Sequence, residues 1–159
     1  MCGICGVVHF TAPAPRDEPV THVQQMLARL AHRGPDGAWV EADAAAALGM
    51  ARLTIRGLTS GRQPLIDAET GVMVVCNGEI DNHPELRVWL AERGRPVEQD
   101  TDVAVLPGLY LELGAAFVER LVGAFAIAVW DPRHHTLLLT RDRAGERPLF
   151  FSWANGRAV

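Results

Sequence analysis

The second residue of the chain, Cys2, has the chemistry of a nucleophile that carries its own base. If Met1 is removed, Cys2 becomes the N-terminal residue and has a free α-amino group. Such a group has a pKa of about 7.7–8.0, so a useful fraction is neutral near physiological pH and can accept the thiol proton, directly or through a water. A weak nucleophile paired with an N-terminal amine is an established arrangement for covalent catalysis. Free cysteines are also common as small buried core residues, and position alone does not decide between the two interpretations.

Cys2 and Cys5 also have the Cys-x-x-Cys spacing of a redox pair. Such pairs usually follow a strand and open a helix, whose N-terminus lowers the thiol pKa. Here the pair is followed by a β-type segment, because residues 3–10 are rich in apolar and β-branched side chains and predict a strand buried on both faces. Side chains alternate along a strand, so Cys2 and Cys5 are expected on opposite faces, where they cannot form a disulfide.

The composition is that of an ordinary globular domain. The chain has 159 residues, of which 48% are hydrophobic and 21% charged, so one domain with its own core is expected. A net charge of −4 gives no electrostatic pattern for nucleic acid. The sequence contains no apolar run of membrane-spanning length and no signal segment. We therefore expect a cytoplasmic protein whose partners include neither nucleic acid nor membrane.

The cysteines and histidines do not predict a disulfide framework or a metal site. Three cysteines, an odd number without a secretion signal, argue against structural disulfides. Cys76 and the scattered His9, His22 and His32 do not have the spacing of metal ligands. The Cys2 thiol can therefore remain reduced.

The hydrophobic pattern predicts short strands mixed with a few helices. Strands are expected at 3–10, 44–55, 72–76, 124–130, 136–140 and 149–153. Helices are expected at 20–31, 83–93 and 102–113, the last with Asp102 as its N-cap and a kink at Pro107. Asn77-Gly78 and Asn155-Gly156 are turn signals. The second turn should lead to a partner strand, and because the sequence ends at Val159 we expect a fragment.

Several short motifs occur in one order along nearly the whole chain and carry a family resemblance. They are Cys2-Gly3-Ile4-Cys5-Gly6, Arg33-Gly34-Pro35-Asp36-Gly37, Arg52-Leu53-Thr54-Ile55, Asn77-Gly78-Glu79-Ile80, Asn82-His83, Glu85-Leu86-Arg87, Thr101-Asp102, and Arg141-Asp142-Arg143 with Gly145, Pro148 and Leu149. This set resembles the N-terminal glutaminase domain of class II glutamine amidotransferases of the asparagine-synthetase type.

The resemblance implies an α+β fold, a four-layer αββα sandwich of two mostly antiparallel sheets, as in N-terminal nucleophile hydrolases. It implies that residues 1–159 are one glutaminase domain, truncated at its C-terminus and lacking the synthetase domain. The sequence contains no Gly-rich phosphate loop followed by Lys-Ser/Thr. We therefore expect no cofactor in this domain, with ATP and Mg bound only by the missing synthetase domain.

The resemblance also assigns roles to particular residues. The family forms its oxyanion hole from the side-chain amide of Asn and the backbone N–H of Gly, here Asn77 and Gly78, and each such donor contributes about 10²–10³ in rate. The glutamine α-carboxylate would bind Arg52 through a bidentate fork, and the α-ammonium would bind Asp102. Glu79 would add a polar contact to the substrate. Without the resemblance, these residues fit a hairpin turn, a surface charge and a helix N-cap.

The implied function is hydrolysis of L-glutamine to glutamate and ammonia, with Cys2 attacking the amide. Ammonia would pass to an ATP-dependent, asparagine-synthetase-like amidation by a synthetase domain in the same chain or a separate one, and a homodimer is also possible. The alternative is a non-catalytic interaction or regulatory module of a synthetase. Asp81, which replaces an aromatic residue of the family pattern, Ala104, which replaces an acid, and the short C-terminus motivate it. Ala144 also replaces an aromatic residue, a departure that concerns contact with a partner domain.

Overall fold

Two antiparallel sheets are stacked face to face and covered by helices in the computed structural model, which describes residues 2–11, 17–54 and 61–159. The strands are β1 Gly3–His9, β2 Gly37–Ala42, β3 Ala46–Arg52, β4 Leu65–Ile66, β5 Met73–Ile80, β6 Gly123–Asp131, β7 Thr136–Arg141, β8 Trp153–Ala154 and β9 Arg157–Ala158. The first sheet has the order β2-β3-β1-β9-β8, and the second has the order β4-β5-β6-β7.

Three helices form the two outer layers. Helix α1 (Glu18–Leu30) packs on the first sheet, whereas α2 (His83–Ala91) and α3 (Leu106–Leu113) pack on the second. One apolar cluster lies between α1 and the first sheet, one between the two sheets, and one between the second sheet and α2 and α3. This is the predicted four-layer αββα sandwich, and the predicted helices at 20–31 and 83–93 are confirmed as α1 and α2.

The β1 strand is buried on both faces, as its apolar sequence predicts. Ile4 and Val8 point between the sheets, whereas Cys5 and Val7 point toward α1. The Cys5 Sγ lies 3.9 Å from the carbonyl oxygen of Val23 on α1. Burial raises the pKa of the Cys5 thiol to about 12, so this cysteine is an inert part of the helix-facing layer.

The turn predicted at Asn77-Gly78 is wrong. The β5 strand continues through these residues to Ile80, and Asn77 pairs with Ala126 and Gly78 with Phe125 on β6. A Cβ atom at position 78 would lie 2.1 Å from the Ala124 carbonyl oxygen, so the close approach of β6 requires glycine there. Tertiary pairing with β6 overrides the local turn preference of Asn-Gly.

Two strands were missing from the sequence prediction. The β2 strand pairs along all of β3, and most of its residues are only partly buried, so it lacks an apolar run that sequence could detect. The two-residue β4 lies between the strands predicted at 44–55 and 72–76. The strand predicted at 44–55 corresponds to β3. Met1 and the end of that predicted strand at residue 55 lie outside the described residues.

The predicted helix 102–113 is split into two parts. A 3₁₀ turn covers Asp102–Val105 and α3 begins at Leu106, so Pro107 lies in the first turn of α3, where a missing N–H costs little. A change from 3₁₀ to α structure takes the place of the predicted kink. The N-cap of the 3₁₀ turn is Thr101, so the prediction of Asp102 as N-cap is wrong by one residue.

The C-terminal segment also differs from the prediction. The strands predicted at 124–130 and 136–140 are confirmed as β6 and β7, which pair with each other, but the strand predicted at 149–153 is reduced to β8, which begins at Trp153. Asn155 and Gly156 form a tight turn with positive φ values of 51° and 71°. The turn leads into β9, which pairs with β1 at Val8 and His9. The partner strand expected after the second Asn-Gly turn is therefore β9, at residues 157–158.

Candidate active site

Cys2 lies immediately before β1 and is held by backbone contacts from two other segments. The Leu53 N–H donates to the Cys2 Sγ at 3.4 Å, and the Leu53 carbonyl oxygen lies 3.5 Å from the same sulfur. The Arg33 Nε donates to the Cys2 carbonyl oxygen at 3.2 Å. The thiol is only half-buried, in contrast to Cys76, which is 1% exposed. These contacts fix the thiol at the rim of the two sheets.

The loop Arg33-Gly34-Pro35-Asp36-Gly37, which sequence analysis left without a role, organises this rim. Besides the contact of Arg33 with Cys2, the Asp36 N–H donates to the Arg52 carbonyl oxygen at 3.0 Å. The Asp36 Oδ2 accepts the Thr54 N–H at 2.6 Å. The loop therefore ties Cys2 to the end of β3, where Arg52 begins the chain's exit from the sheet.

A small cavity at this rim brings together most of the predicted site residues. Its lining includes Cys2, Arg52, Gly78, Glu79 and Asp102. Met50, Leu53, Gly61, Gln63, Cys76, Thr101 and Val103 complete the wall. One thiol, one cation and two carboxylates from distant parts of the sequence therefore face one space.

Within the described residues, β4 pairs with β5 only at Met73 and Val74, so no described strand pairs with β5 on that edge at Gly78. Two residues earlier, Cys76 is bound on this edge by the Gln63 side chain, whose Oε1 accepts the Cys76 N–H at 2.6 Å and whose Nε2 donates to the Cys76 carbonyl oxygen at 3.2 Å. Two residues later, the Ile80 N–H donates to the Asp102 Oδ2 at 2.8 Å. Backbone N–H groups alternate in direction along a strand, so the Gly78 N–H is directed at the same edge and toward the cavity.

Asn77 is the one predicted oxyanion residue that does not line this cavity. It is 6% exposed, and its position in the alternating pattern of β5 matches Met73 and Val75, whose side chains pack between the two sheets. Its side chain is therefore on the face of β5 that is turned toward the first sheet, where Cys2 immediately precedes β1. The structure places Asn77 next to Gly78 in the ladder, with its amide inside the protein.

Arg52 and Asp102 reach the cavity wall from different elements. Arg52 is the last residue of β3, and its guanidinium passes over Gly61, where an added Cβ would lie 2.6 Å from Nη2. Asp102 opens the 3₁₀ turn and uses its carboxylate on the Ile80 N–H. A cation and a carboxylate in one wall suit a ligand that carries both a carboxylate and an ammonium group.

Two further residues fix the segment that carries Asp102, and sequence analysis gave neither a role in the site. The Arg87 guanidinium donates to the carbonyl oxygens of Val97, Gln99 and Thr101. Thr101 lines the cavity directly before Asp102. The motifs Glu85-Leu86-Arg87 and Thr101-Asp102 contained both residues, but only the folded chain shows that α2 holds residues 97–101 in place.

The second thiol in the cavity wall is not a competing nucleophile. Burial raises the pKa of the Cys76 thiol, and the nearby Asp102 and Cys2 raise it further. A thiol that stays protonated is a poor nucleophile, so Cys2 is the reactive candidate.

The departures at Asp81 and Ala144 lie outside the cavity wall. The Asp81 side chain is exposed, and its N–H donates to the Val122 carbonyl oxygen at 2.8 Å, which extends the β5–β6 pairing. Asp142 is buried and accepts the N–H groups of Phe125, Glu146 and Arg147. The segment that follows β7 is thus a hydrogen-bonded loop, and its Ala144 lies exposed at the surface.

Comparison with known proteins agrees with this arrangement. A family model described as a glutamine amidotransferase domain matches residues 1–159. The chain belongs to this glutamine amidotransferase family. The sequence resemblance to the class II, asparagine-synthetase type is confirmed by the relatives found.

The amidotransferase domain is similar to part of several larger proteins. It is 33% identical over 152 residues to asparagine synthetase [glutamine-hydrolyzing] 2 of Bacillus subtilis, covering 96% of this chain and 20% of that protein. It is 34% identical to asparagine synthetase [glutamine-hydrolyzing] 3 of the same organism and 32% identical to amidase chry2 of Gibberella zeae, covering 96% of this chain in each case. The chain spans about a quarter of the length of these two curated relatives, 25% and 24%.

A solved structure supports the fold of the amidotransferase domain. Glutamine phosphoribosylpyrophosphate amidotransferase from B. subtilis superposes with a TM-score of 0.70 at 20% identity, covering 97% of this chain and 41% of that chain. Within residues 2–11, 17–54 and 61–159, no helix is long and apolar enough to cross a membrane. The same residues contain no group of three or more His, Cys, Asp or Glu that could hold a metal ion.

Proposed function

We propose that this domain hydrolyses L-glutamine to L-glutamate and ammonia, with Cys2 as the nucleophile. The observation that carries the proposal is the cavity beside Cys2, whose wall also contains Arg52, Gly78 and Asp102. Membership of the glutamine amidotransferase family supports the same reaction.

The reaction needs a base, a nucleophile and an oxyanion hole. The α-amine of Cys2, free once Met1 is removed, takes the thiol proton, and the sulfur attacks the side-chain amide carbon of glutamine. The Gly78 N–H, directed at the cavity, and the Asn77 amide are the proposed donors to the resulting oxyanion. The protonated amine then gives its proton to the leaving nitrogen, which departs as ammonia. Water hydrolyses the remaining γ-glutamyl thioester to glutamate and regenerates the thiol.

Recognition of the amino acid end falls to charged residues of the cavity wall. Arg52 matches the α-carboxylate, because a guanidinium can bind both carboxylate oxygens. Asp102 matches the α-ammonium, and Glu79 adds a polar contact. No step in this scheme needs a cofactor or a metal ion in this domain.

We infer that the ammonia is used by an ATP-dependent amidation similar to that of asparagine synthetases. Two observations support this: the curated relatives include several glutamine-hydrolysing asparagine synthetases, and the domain corresponds to 20% to 28% of their length. A synthetase region, with ATP and Mg, would then act in the same chain or in a separate one.

The test is glutamine hydrolysis by protein with a verified N-terminus, measured as glutamate and ammonia released. Replacing the nucleophile in Cys2→Ala should reduce kcat by at least roughly 1,000-fold. The matched control is Cys5→Ala, because Cys5 is only three residues away, within β1, but its thiol lies against α1. Activity that survives Cys2→Ala would contradict the proposal and favour a non-catalytic module.

Retention of Met1 tests the base separately from the nucleophile. Protein that keeps Met1 should lose turnover, because its Cys2 nitrogen is then an amide that cannot accept the thiol proton. Equal rates with and without Met1 would show that another group is the base.

A further inference from the structure

The Thr101 hydroxyl is a buried polar group without a bonding partner. Thr101 is 6% exposed, and within the part of the chain that the structure describes its Oγ1 makes no hydrogen bond. A buried hydroxyl that lacks a partner reduces stability by about 1–3 kcal/mol, so such groups are uncommon and call for a reason.

The fold uses the backbone of Thr101 but not its side chain. Thr101 is the N-cap of the 3₁₀ turn, a position where a threonine hydroxyl ordinarily accepts a backbone N–H, yet it makes no side-chain capping bond. Its carbonyl oxygen accepts the Arg87 Nη2 at 2.6 Å and the Ala104 N–H at 3.2 Å. The residue is thus held on both sides through its carbonyl, and the hydroxyl contributes nothing visible to the fold.

Thr101 is also part of the cavity wall, next to the carboxylate proposed to bind the substrate ammonium. It lines the same space as Cys2, Arg52 and Asp102. One carboxylate oxygen of Asp102, Oδ2, is already bound to the Ile80 N–H. An ammonium group has three N–H donors, so a single carboxylate with one oxygen committed elsewhere cannot satisfy it.

We propose that the Thr101 Oγ1 is a substrate-binding acceptor for the α-ammonium of L-glutamine, acting beside Asp102. The inference rests on the proposed function and adds a residue to it. A hydroxyl that gains a charged donor only when an α-amino acid binds makes the cavity select α-amino acid amides over amides that lack the amino group, because the buried group is otherwise left unpaired.

The test measures binding while each proposed partner is removed in turn. The Thr101 hydroxyl is removed from the protein by substitution, and the α-amino group is removed from the ligand. Calorimetric dissociation constants are measured in a Cys2→Ala background, which prevents turnover, for L-glutamine and for glutaramate, the same amide without the α-amino group. Each ligand is titrated into the background protein and into versions that also carry Thr101→Val or Thr101→Ser. Valine keeps the shape of threonine without the hydroxyl, and serine keeps the hydroxyl.

Thr101→Val should weaken L-glutamine binding about tenfold, the effect of losing one hydrogen bond to a charged group, and change glutaramate binding less than about twofold. Thr101→Ser should retain L-glutamine binding within roughly threefold of the background protein. The melting temperature of Thr101→Val should equal or exceed that of the background protein, because the variant no longer buries an unpaired hydroxyl.

Unchanged L-glutamine binding in Thr101→Val would overturn the inference. Equal weakening of both ligands would also overturn it, because a purely structural role affects the two alike. Failure of L-glutamine to bind the Cys2→Ala background protein at all would overturn it as well. Hydrolysis is assayed separately with Cys2 intact: absence of turnover with Thr101-dependent binding removes the proposed catalysis and leaves the inference standing.

Discussion

At the Asp131 end of the β5–β6 pair, polar groups are bonded to one another, whereas at the Gly78 end they face a cavity. The Asp131 side chain is 1% exposed and accepts hydrogen bonds from Tyr110 at 3.1 Å and from the Arg133 Nη2 at 2.7 Å. His134 adds a ring nitrogen at 3.0 Å. The Asp131 carboxylate is therefore held by three side chains from two parts of the sequence.

The Gly78 end has the opposite character. The Gly78 N–H points outward from a part of the β5 edge that no described strand covers, toward the cavity. The Thr101 hydroxyl is buried without a partner in the described residues, and the Cys2 thiol is only half-buried. Leaving such groups open is costly for folding and is useful only if a ligand completes them. The comparison therefore assigns a stabilising role to the Asp131 end, and the proposed chemistry to the Gly78 end.

The pKa of the Asp131 carboxyl group follows from the same contacts. Hydrogen bonds from Arg133 outweigh the effect of burial, and together with those from His134 and Tyr110 they hold the pKa of Asp131 well below its usual range. An ionised carboxylate that is fully bonded is therefore part of the folded state at neutral pH.

Of the substitutions that test this comparison, the largest effect on activity is predicted at the Gly78 end. Gly78→Ala would place a Cβ against the Ala124 carbonyl oxygen and shift the proposed oxyanion donor, so kcat for glutamine hydrolysis should fall by roughly 100-fold or more. Gly94→Ala is the matched control, because Gly94 also has positive φ (76°) but has open space around it. The control should lose about 1–2 kcal/mol of stability and little activity. Comparable activity in the two variants would contradict the role of Gly78.

A smaller effect, on stability alone, is predicted at the Asp131 end. Asp131→Asn should lower the free energy of unfolding by about 2 kcal/mol at pH 7, because hydrogen bonds to a charged group are lost, and should leave kcat unchanged. Urea unfolding and the hydrolysis assay measure the two quantities. A loss of activity without a loss of stability would show that the two ends are not separate in function.

The same variant has a predicted pH dependence. The folded-state pKa of Asp131 is lower than its unfolded value of about 3.9, so its contribution is complete above about pH 4 and is lost as the pH falls through the folded-state pKa. The difference in unfolding free energy between wild type and Asp131→Asn should therefore shrink from pH 7 to about pH 3. A difference that grows in acid would contradict this account.

Apolar patterns predicted individual strands and helices better than the edges of the site, whereas the four-layer arrangement was implied by the family resemblance. The β1 strand and α1 were predicted from their apolar patterns, which the packed structure keeps. Asn77-Gly78 was read as a turn in isolation because its strand character depends on β6, more than forty residues later in the chain. Thr101 and Gln63 gain their roles only when α2, β4 and β5 meet, and no local pattern contains that information.

The roles of Cys2, Arg52 and Asp102 were predicted through a family resemblance, and the structure adds a physical basis for them. Cys2 and Asp102 are a hundred residues apart in sequence and line one cavity, while the Cys5 thiol lies against α1. The alternation of side chains expected along the first strand already argued against a Cys2–Cys5 redox pair.

Covalent labelling of Cys2 tests the central claim most directly. A glutamine analogue with an electrophilic diazoketone in place of the amide is incubated with the protein, and the intact mass and the modified peptide are determined. We predict a single adduct on Cys2, slowed by excess L-glutamine and absent in Cys2→Ala. No adduct, or an adduct that persists in Cys2→Ala, would contradict the assignment of Cys2 as a glutamine-directed nucleophile.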